Sequence, residues 1–209
     1  MSVLLDARYF PSYKQLPSDD DVDEDFYDIS YGIGQLRKHW CYMGEIVEVI
    51  PYVRVILKVR DVKGTVVMVA FYQDNTEYLD KSGLKLGSTI FIRYAHQHYF
   101  MDGSEGLRIE DLSSVLVLPY SLKTILDAHR TIVKGSKKVC NKCKAKDSAS
   151  CCGKCKTAYC SRDCQVDDWP SHKSLCGVLK ATLPITSLDH TSFEKFCPLT
   201  RGGYINKAI

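Results

Sequence analysis

The chain is 209 residues long, 25% charged and 11% aromatic, with a formal net charge of +3. That length carries one or two domains with a real core, and a balance so near neutral excludes a chain-wide polyanion-binding surface, though not local basic patches. Ten cysteines would suit a disulfide scaffold in a small secreted protein. Against that, the start of the chain has no basic n-region, its apolar run stops at Asp6, and no run approaches the ~18 apolar residues of a membrane span. We therefore expect an intracellular protein, nuclear or cytoplasmic and not secreted, with no membrane partner.

The charge is unevenly spread. Residues 135–209 carry 13 Lys+Arg against 6 Asp+Glu, whereas residues 1–134 carry 15 against 19. Residues 1–35 read as an acidic, flexible arm. Pro11, Pro17 and Gly32-x-Gly34 break any period, and residues 19–28 mix seven acids with Phe26 and Tyr27, a composition that favours a solvated tail.

Residues 36–119 change to short β-rich runs at 44–50, 52–60, 64–72, 88–95 and 107–118, with a helix-compatible piece at 76–85 after the third. In the second run Val53, Val55, Leu57 and Val59 alternate with Arg54, Ile56, Lys58 and Arg60, the mark of a strand with one buried face. Asp61-Val62-Lys63-Gly64 is a hairpin turn in which Gly64 supplies the permissive backbone. Three strands, a short helix or loop and two more strands predict an OB-fold-like five-stranded β-barrel, so the chain is mainly β with a small α content. Lys58-Val59-Arg60-Asp61-x2-Gly64, Ala70-Phe71 and Gly87-Ser88-Thr89-Ile90 resemble the OB-folds of replication-protein-A type.

Such a resemblance implies single-strand nucleic-acid binding by stacking on aromatics in a basic groove. The candidates are Tyr52, Arg54, Lys58 and Arg60 on the open strand face, with Tyr99 and Phe100 beside His96 and His98 in the last loop. The acidic balance of this half weighs against it, because affinity scales with the phosphates neutralised.

Pro119 ends the last strand and Ser121 can cap a linking helix over 120–135. Leu122, Ile125, Leu126, His129 and Ile132 form its amphipathic stripe, on which His129 reads as a core histidine.

The stretch 136–180 carries the strongest signal. It reads Cys140-x2-Cys143, Cys152-x2-Cys155, Cys160-x3-Cys164 and His172-x3-Cys176. Eight thiolate and imidazole donors in four closely spaced pairs are enough for two tetrahedral zinc ions, with no open position for catalysis. Ser161 is a helix N-cap that places Cys164 in the first turn. Trp169 before Pro170 predicts two short helices rather than one. Between Cys140 and Lys173 almost no apolar core is available, so the metal must supply the folding free energy, about 10–16 kcal/mol per structural zinc. Cys151 is assigned as spare, and Cys41 and Cys197 as buried or free thiols.

The stretch resembles the MYND-type zinc finger. Tyr159-Cys160, Cys164-Gln165, Trp169 and His172-Lys173-x2-Cys176 carry the match as well as the metal pairs. The resemblance implies an interleaved cross-brace, with Cys140, Cys143, Cys160 and Cys164 on one zinc and Cys152, Cys155, His172 and Cys176 on the other. Spacing alone also allows a sequential pairing. It further implies a protein partner, in the form of a short proline-containing peptide held at Gln165 and Trp169. The other reading of Trp169 is that it packs between the two small helices.

A RING has its histidine pair mid-motif, and a SET methyltransferase needs a long domain split around the finger; neither fits. No nucleophile-base pair, phosphate loop or carboxylate pair stands out. The expectation is a non-enzymatic adaptor that recognises a partner protein. The alternative is a single-stranded nucleic-acid-binding protein that uses the barrel. Residues 181–209 read as a mixed tail in which Leu188, Phe193 and Phe196 can pack back.

Overall fold

The computed structural model describes residues 2–30, 34–51, 54–72, 83–132, 139–146 and 148–200. The chain divides into two compact units: a sheet unit, Ala7–Leu122 with Asp189–Ile209, and a finger unit, Met1–Asp6 with Lys123–Leu188.

Strands of the sheet unit are numbered in chain order. β1 (Tyr27–Asp28) pairs with β2 (Gln35–Leu36) as a small separate ribbon. The main sheet comprises β3 (Cys41–Pro51), β4 (Val55–Asp61), β5 (Val66–Phe71), β6 (Thr89–Arg93), β7 (His98–Tyr99), β8 (Glu105–Ile109) and β9 (Val115–Leu118), in the order β7-β8-β5-β4-β3-β6-β9. β3, β4 and β5 form an antiparallel meander. β6 returns antiparallel to β3, and β8 lies parallel to β5. This is an OB-fold-like topology.

β3 serves two neighbours. Its first half pairs with β6 and the rest with β4, and a register shift between Ile46 and Glu48 bends it from one to the other. Gly44 sits where the two ladders overlap. A Cβ there would lie 2.4 Å from Val59 Cγ1 and 2.9 Å from the Arg60 carbonyl oxygen, so only glycine fits.

The alternation read from β4 is present: Val55, Leu57 and Val59 are buried, and Lys58 and Arg60 are exposed. Its hairpin turn is also as expected, with Gly64 at φ +86°. The buried Asp61 carboxylate fastens it by accepting the backbone N–H groups of Lys63 and Thr65 at 2.8 and 2.9 Å, and that of Tyr13 at 2.9 Å. The expected piece at 76–85 falls mostly outside the described residues, as do Tyr52 and Val53.

Two expectations need correction. The closing strand predicted over 107–118 is not continuous. Asp111 Oδ1 accepts the Ser113 N–H at 2.8 Å and caps a 3-10 turn at Leu112–Ser114. β8 therefore pairs with β5 while β9 pairs with β6, and among the described residues no ladder joins β8 to β9, so the barrel is not closed.

The arm, expected to be flexible, packs instead. Tyr13, Leu16 and Phe26 lie in the hydrophobic core with Trp40, Tyr42, Leu57, Val69, Ile90 and Leu107. Trp40 is fully buried, with the rings of Phe26 and Tyr94 at 4.9 and 5.4 Å and its indole N–H donated to the Ala95 carbonyl at 2.9 Å. Single apolar residues among acids have no period to announce them; tertiary burial decides their place. The acids themselves stay at the surface, apart from a partly buried Asp23. The far end of the chain behaves alike: Leu199 is buried, and it and Thr200 donate their backbone N–H groups to the Ser113 carbonyl at 2.7 and 3.2 Å.

The finger unit contains α1 (Leu122–Thr131, apart from its first residue), a ribbon of β10 (Ser150–Cys151) and β11 (Ala158–Tyr159), then α2 (Arg162–Ala181) and α3 (Leu183–Thr186). Ile125, Ala128 and His129 on α1 are buried. His129 is a core histidine, as expected, with Nδ1 at 2.8 Å from Ser2 Oγ and Nε2 at 2.8 Å from Thr182 Oγ1.

Candidate metal centres and recognition face

Two short turns of the same construction present the first four donors. Cys140-Asn-Lys-Cys143-Lys144-Ala145 and Cys152-Gly-Lys-Cys155-Lys156-Thr157 each close with a backbone N–H from the fifth residue to the first residue's carbonyl, at 3.0 and 2.9 Å. In each, the first residue's N–H also reaches the sixth residue's carbonyl, at 2.9 and 2.8 Å. Lys144 and Lys156 hold this shape at φ +65° and +63°, a left-handed conformation that is costly for a side-chain-bearing residue. The repeat C-x-K-C-K is plain in the sequence, and the sequence reading missed it by taking the cysteines without their neighbours.

β11 and α2 supply the other donors. Ser161 caps α2 and accepts the Cys164 N–H at 3.2 Å, as expected, which sets Cys164 in the first turn beside Cys160. α2 is a single helix, however, and not the predicted pair: Pro170 lies inside it. Proline removes one helical hydrogen bond, to the Val166 carbonyl. Val166 is exposed, where that carbonyl can turn to water, while buried Asp168, His172 and Cys176 anchor one face on both sides of the proline.

The donors gather in two groups. Cys140, Cys143, Cys160 and Cys164 form one; Cys152, Cys155, His172 and Cys176 form the other, and within each group every ligand atom lies within 4.8 Å of the rest. The pairing that spacing left open is therefore interleaved. A tetrahedral zinc with bonds of ~2.3 Å to sulfur requires sulfurs about 3.8 Å apart. The Sγ separations Cys143–Cys160 and Cys160–Cys164 are both 3.5 Å, Cys152–Cys176 is 3.8 Å, and Cys155 Sγ lies 3.3 Å from His172 Nε2. Soft donors, four to a group and at tetrahedral spacing, fit two structural zinc ions.

The groups differ in access. In the second all four donors are buried; in the first only Cys140 is fully buried, Cys164 is partly so, and Cys143 and Cys160 are exposed. Cys155 also has Thr157 Oγ1 at 3.1 Å from its sulfur. Cys151 belongs to neither group and is exposed.

Between the groups stands a buried carboxylate. Asp168 is 8% exposed and accepts the Tyr159 hydroxyl at 2.7 Å and the Asn141 side-chain amide at 3.0 Å. Burial raises its pKa, but these two hydrogen bonds, together with nearby His172 and Lys142, hold Asp168 below the usual carboxylate range. The Tyr159 hydroxyl is pushed up by desolvation and then by Asp168. Sequence reasoning missed Asp168. The only available signal was its i, i+4 relation to His172.

Gln165 and Trp169 are i, i+4 on α2 and share a face. Gln165 is half-buried, Trp169 is 40% exposed and Val166 is 60% exposed. The Trp169 ring lies beside the imidazole of His172, with centroids 6.0 Å apart and the planes tilted by 46°. It does not pack between two helices. A cavity of about 300 Å3 in this unit, lined by Asn141, Lys142, Asp168, His172 and Leu175 among others, includes neither Gln165 nor Trp169.

On the sheet unit the predicted nucleic-acid residues are partly engaged. Arg54 lies over the Tyr72 ring at 4.0 Å, Arg108 covers the same ring at 4.4 Å, and the Phe100 ring is stacked 6.2 Å from it. Lys58 pairs with Glu48 at 2.7 Å and Arg108 with Glu110 at 2.6 Å. Arg60 and Tyr99 are exposed. Tyr52 lies outside the described residues. Tyr72 and Arg108 are additions that the sequence reading did not make.

Residues 140–176 match the family model of the MYND finger. Dauer abnormal formation protein 25 of Caenorhabditis elegans is 40% identical over 55 residues, 26% of this chain and 14% of that protein. The Zinc finger MYND domain-containing protein 10 homolog of Drosophila melanogaster is 58% identical over 33 residues, 16% of this chain and 7% of that protein. The chain thus spans a small part of these relatives, and the likeness is that of the finger.

Solved structures with some similarity include the S. pombe Stn1-ten1 complex, 17% identical over 47% of this chain and 70% of that one, with a TM-score of 0.30. S. pombe Pot1pC bound to ssDNA is 7% identical over 44% and 86%, with a TM-score of 0.31. At such scores the strand order and register remain the basis for the fold. Residues 140–176 are a MYND-type zinc finger, a zinc-binding module of the protein-interaction kind.

Proposed function

We propose that this chain is a non-catalytic, intracellular adaptor whose finger captures a short proline-containing segment of a partner protein at Gln165 and Trp169. One observation carries the reading: Trp169 stays 40% exposed on a helix tied down by Cys164 to one metal group and by His172 and Cys176 to the other. An exposed indole on so constrained a helix costs little entropy to use, and an extended proline-rich peptide is itself pre-ordered. Gln165, one turn earlier, can hydrogen-bond the peptide backbone. Each zinc group has four protein donors and leaves no position for a reacting water, which supports a structural metal role.

In the test, proline-containing peptides are titrated against wild type and Trp169→Ala, with zinc content measured on both. Capture should be lost at two bound zincs per chain. Unchanged capture, or loss of zinc with loss of capture, would contradict the reading.

A second reading rests on the Arg54–Tyr72–Arg108 cluster, on which Phe100 stacks, and on exposed Tyr99: single-stranded nucleic acid stacked along the sheet unit. Both cations already lie over Tyr72, and the Lys58 and Arg108 ion pairs blunt the field, so it ranks second. Titration of single-stranded DNA or RNA against Arg54, Lys58 and Arg60 to Ala variants decides it. No binding by wild type at low salt removes this reading.

A further inference from the structure

The two zinc groups are equally compact but differ in what can reach them. We propose that the first group is an oxidative modification site, at which a peroxide-class oxidant joins Cys160 to Cys143 as a disulfide and expels one zinc while the second group keeps its own. Cys143 and Cys160 are both exposed. Cys160 Sγ lies 3.5 Å from Cys143 Sγ and 3.5 Å from Cys164 Sγ, so a sulfur oxidised at Cys160 has a resolving thiolate at hand.

Distance does not distinguish the groups, because Cys152 and Cys176 are almost as close at 3.8 Å. Access does: every donor of the second group is buried. Donor chemistry points the same way. Four thiolates carry one more negative charge than three thiolates and an imidazole, and thiolate character and exposure together set susceptibility to oxidation. Thr157 Oγ1, 3.1 Å from Cys155 Sγ, further occupies a lone pair in the second group.

The step balances with peroxide as the two-electron oxidant. The Cys160 thiolate attacks one peroxide oxygen, the O–O bond breaks, hydroxide leaves, and a sulfenic acid forms. The Cys143 thiolate then attacks that sulfur, the S–O bond breaks, a second hydroxide leaves, and the disulfide is made. Two thiolates have lost two electrons and the peroxide has become two hydroxides. Only Cys140 and Cys164 remain as donors, too few to close a structural site. Cys164 sits in the first turn of α2, so that turn loses its tie to the Cys140 turn.

The test uses the full chain carrying two zincs, treated with hydrogen peroxide. Released zinc is read with a chromogenic chelator, and the cysteines are mapped by differential alkylation and mass spectrometry. One of the two zincs should be released, with the disulfide joining Cys143 and Cys160, while Cys152, Cys155 and Cys176 stay reduced; a thiol reductant should restore binding of the lost ion. Cys151→Ser, which removes the exposed cysteine outside both groups, should behave as wild type. Release of both zincs together, oxidation first within the second group, or abolition of release by Cys151→Ser would overturn the proposal. So would retention of both ions under peroxide sufficient to oxidise a free thiol in the same tube.

Discussion

The sheet unit and the finger solve the same problem, ordering a chain against its conformational entropy, by different means. Among the described residues of the sheet unit, twenty-one buried side chains form one hydrophobic cluster, gathered from the arm, from β3, β4, β5, β6, β8 and β9, and from the segments that flank them. In residues 140–173 of the finger, Tyr159 is the one buried apolar side chain other than cysteine among the described residues. There the donors themselves occupy the interior and the metal takes the place of a core. A fold can thus be divided between two currencies of stability, area and coordination, and each should answer to its own perturbation.

The largest separation is expected from Trp40→Ala. Removing a fully buried indole ringed by Phe26 and Tyr94 should cost the sheet unit about 3–5 kcal/mol, read by denaturant unfolding, with zinc content unchanged at two. A fall in zinc content would break the comparison. Next comes Tyr159→Phe, which withdraws a hydroxyl from a buried carboxylate. It should destabilise the finger by about 1.5–3 kcal/mol, the range for hydrogen bonds to charged groups, and leave the sheet's unfolding midpoint in place.

The effect that vanishes at neutral pH is a pH dependence. Burial pulls the His129 pKa down to about 4, against about 6.5 when unfolded. Between these values the unfolded chain binds the extra proton. The contribution of His129 to stability is therefore intact above about pH 6.5 and is lost as pH falls towards 4, by up to about 1.4 kcal/mol per pH unit. His129→Gln should flatten this limb of the finger's stability curve. An unchanged slope would remove His129 as its source.

What the sequence made legible follows the same division. Coordination is written in side-chain identity and short spacing, so all eight donors and the Ser161 cap could be read directly. Their interleaving could not, because spacing permits either pairing and only the resemblance chose. Strand alternation in β4 and the Asp61–Gly64 turn were legible because both are local. Features set by distant contacts were not. The break at Asp111 depends on a cap inside an apolar run. Pro170 stays in a helix because Asp168 and His172 are buried on either side of it. Tyr13, Leu16 and Phe26 leave an acidic arm for the core because the sheet offers them a place. Asp168 itself was hidden, since a buried acid beside a tryptophan looks like any solvated helix residue until Asn141 and Tyr159 are seen to converge on it.

The most direct test of a metal-held finger beside a core-held sheet is amide hydrogen exchange on the full chain, with zinc bound and after its removal by a strong chelator. We predict that protection across residues 140–176 collapses on metal removal while the amides of β3, β4 and β6 keep theirs. Retained protection in the finger without zinc, or parallel loss in the sheet, would contradict that division.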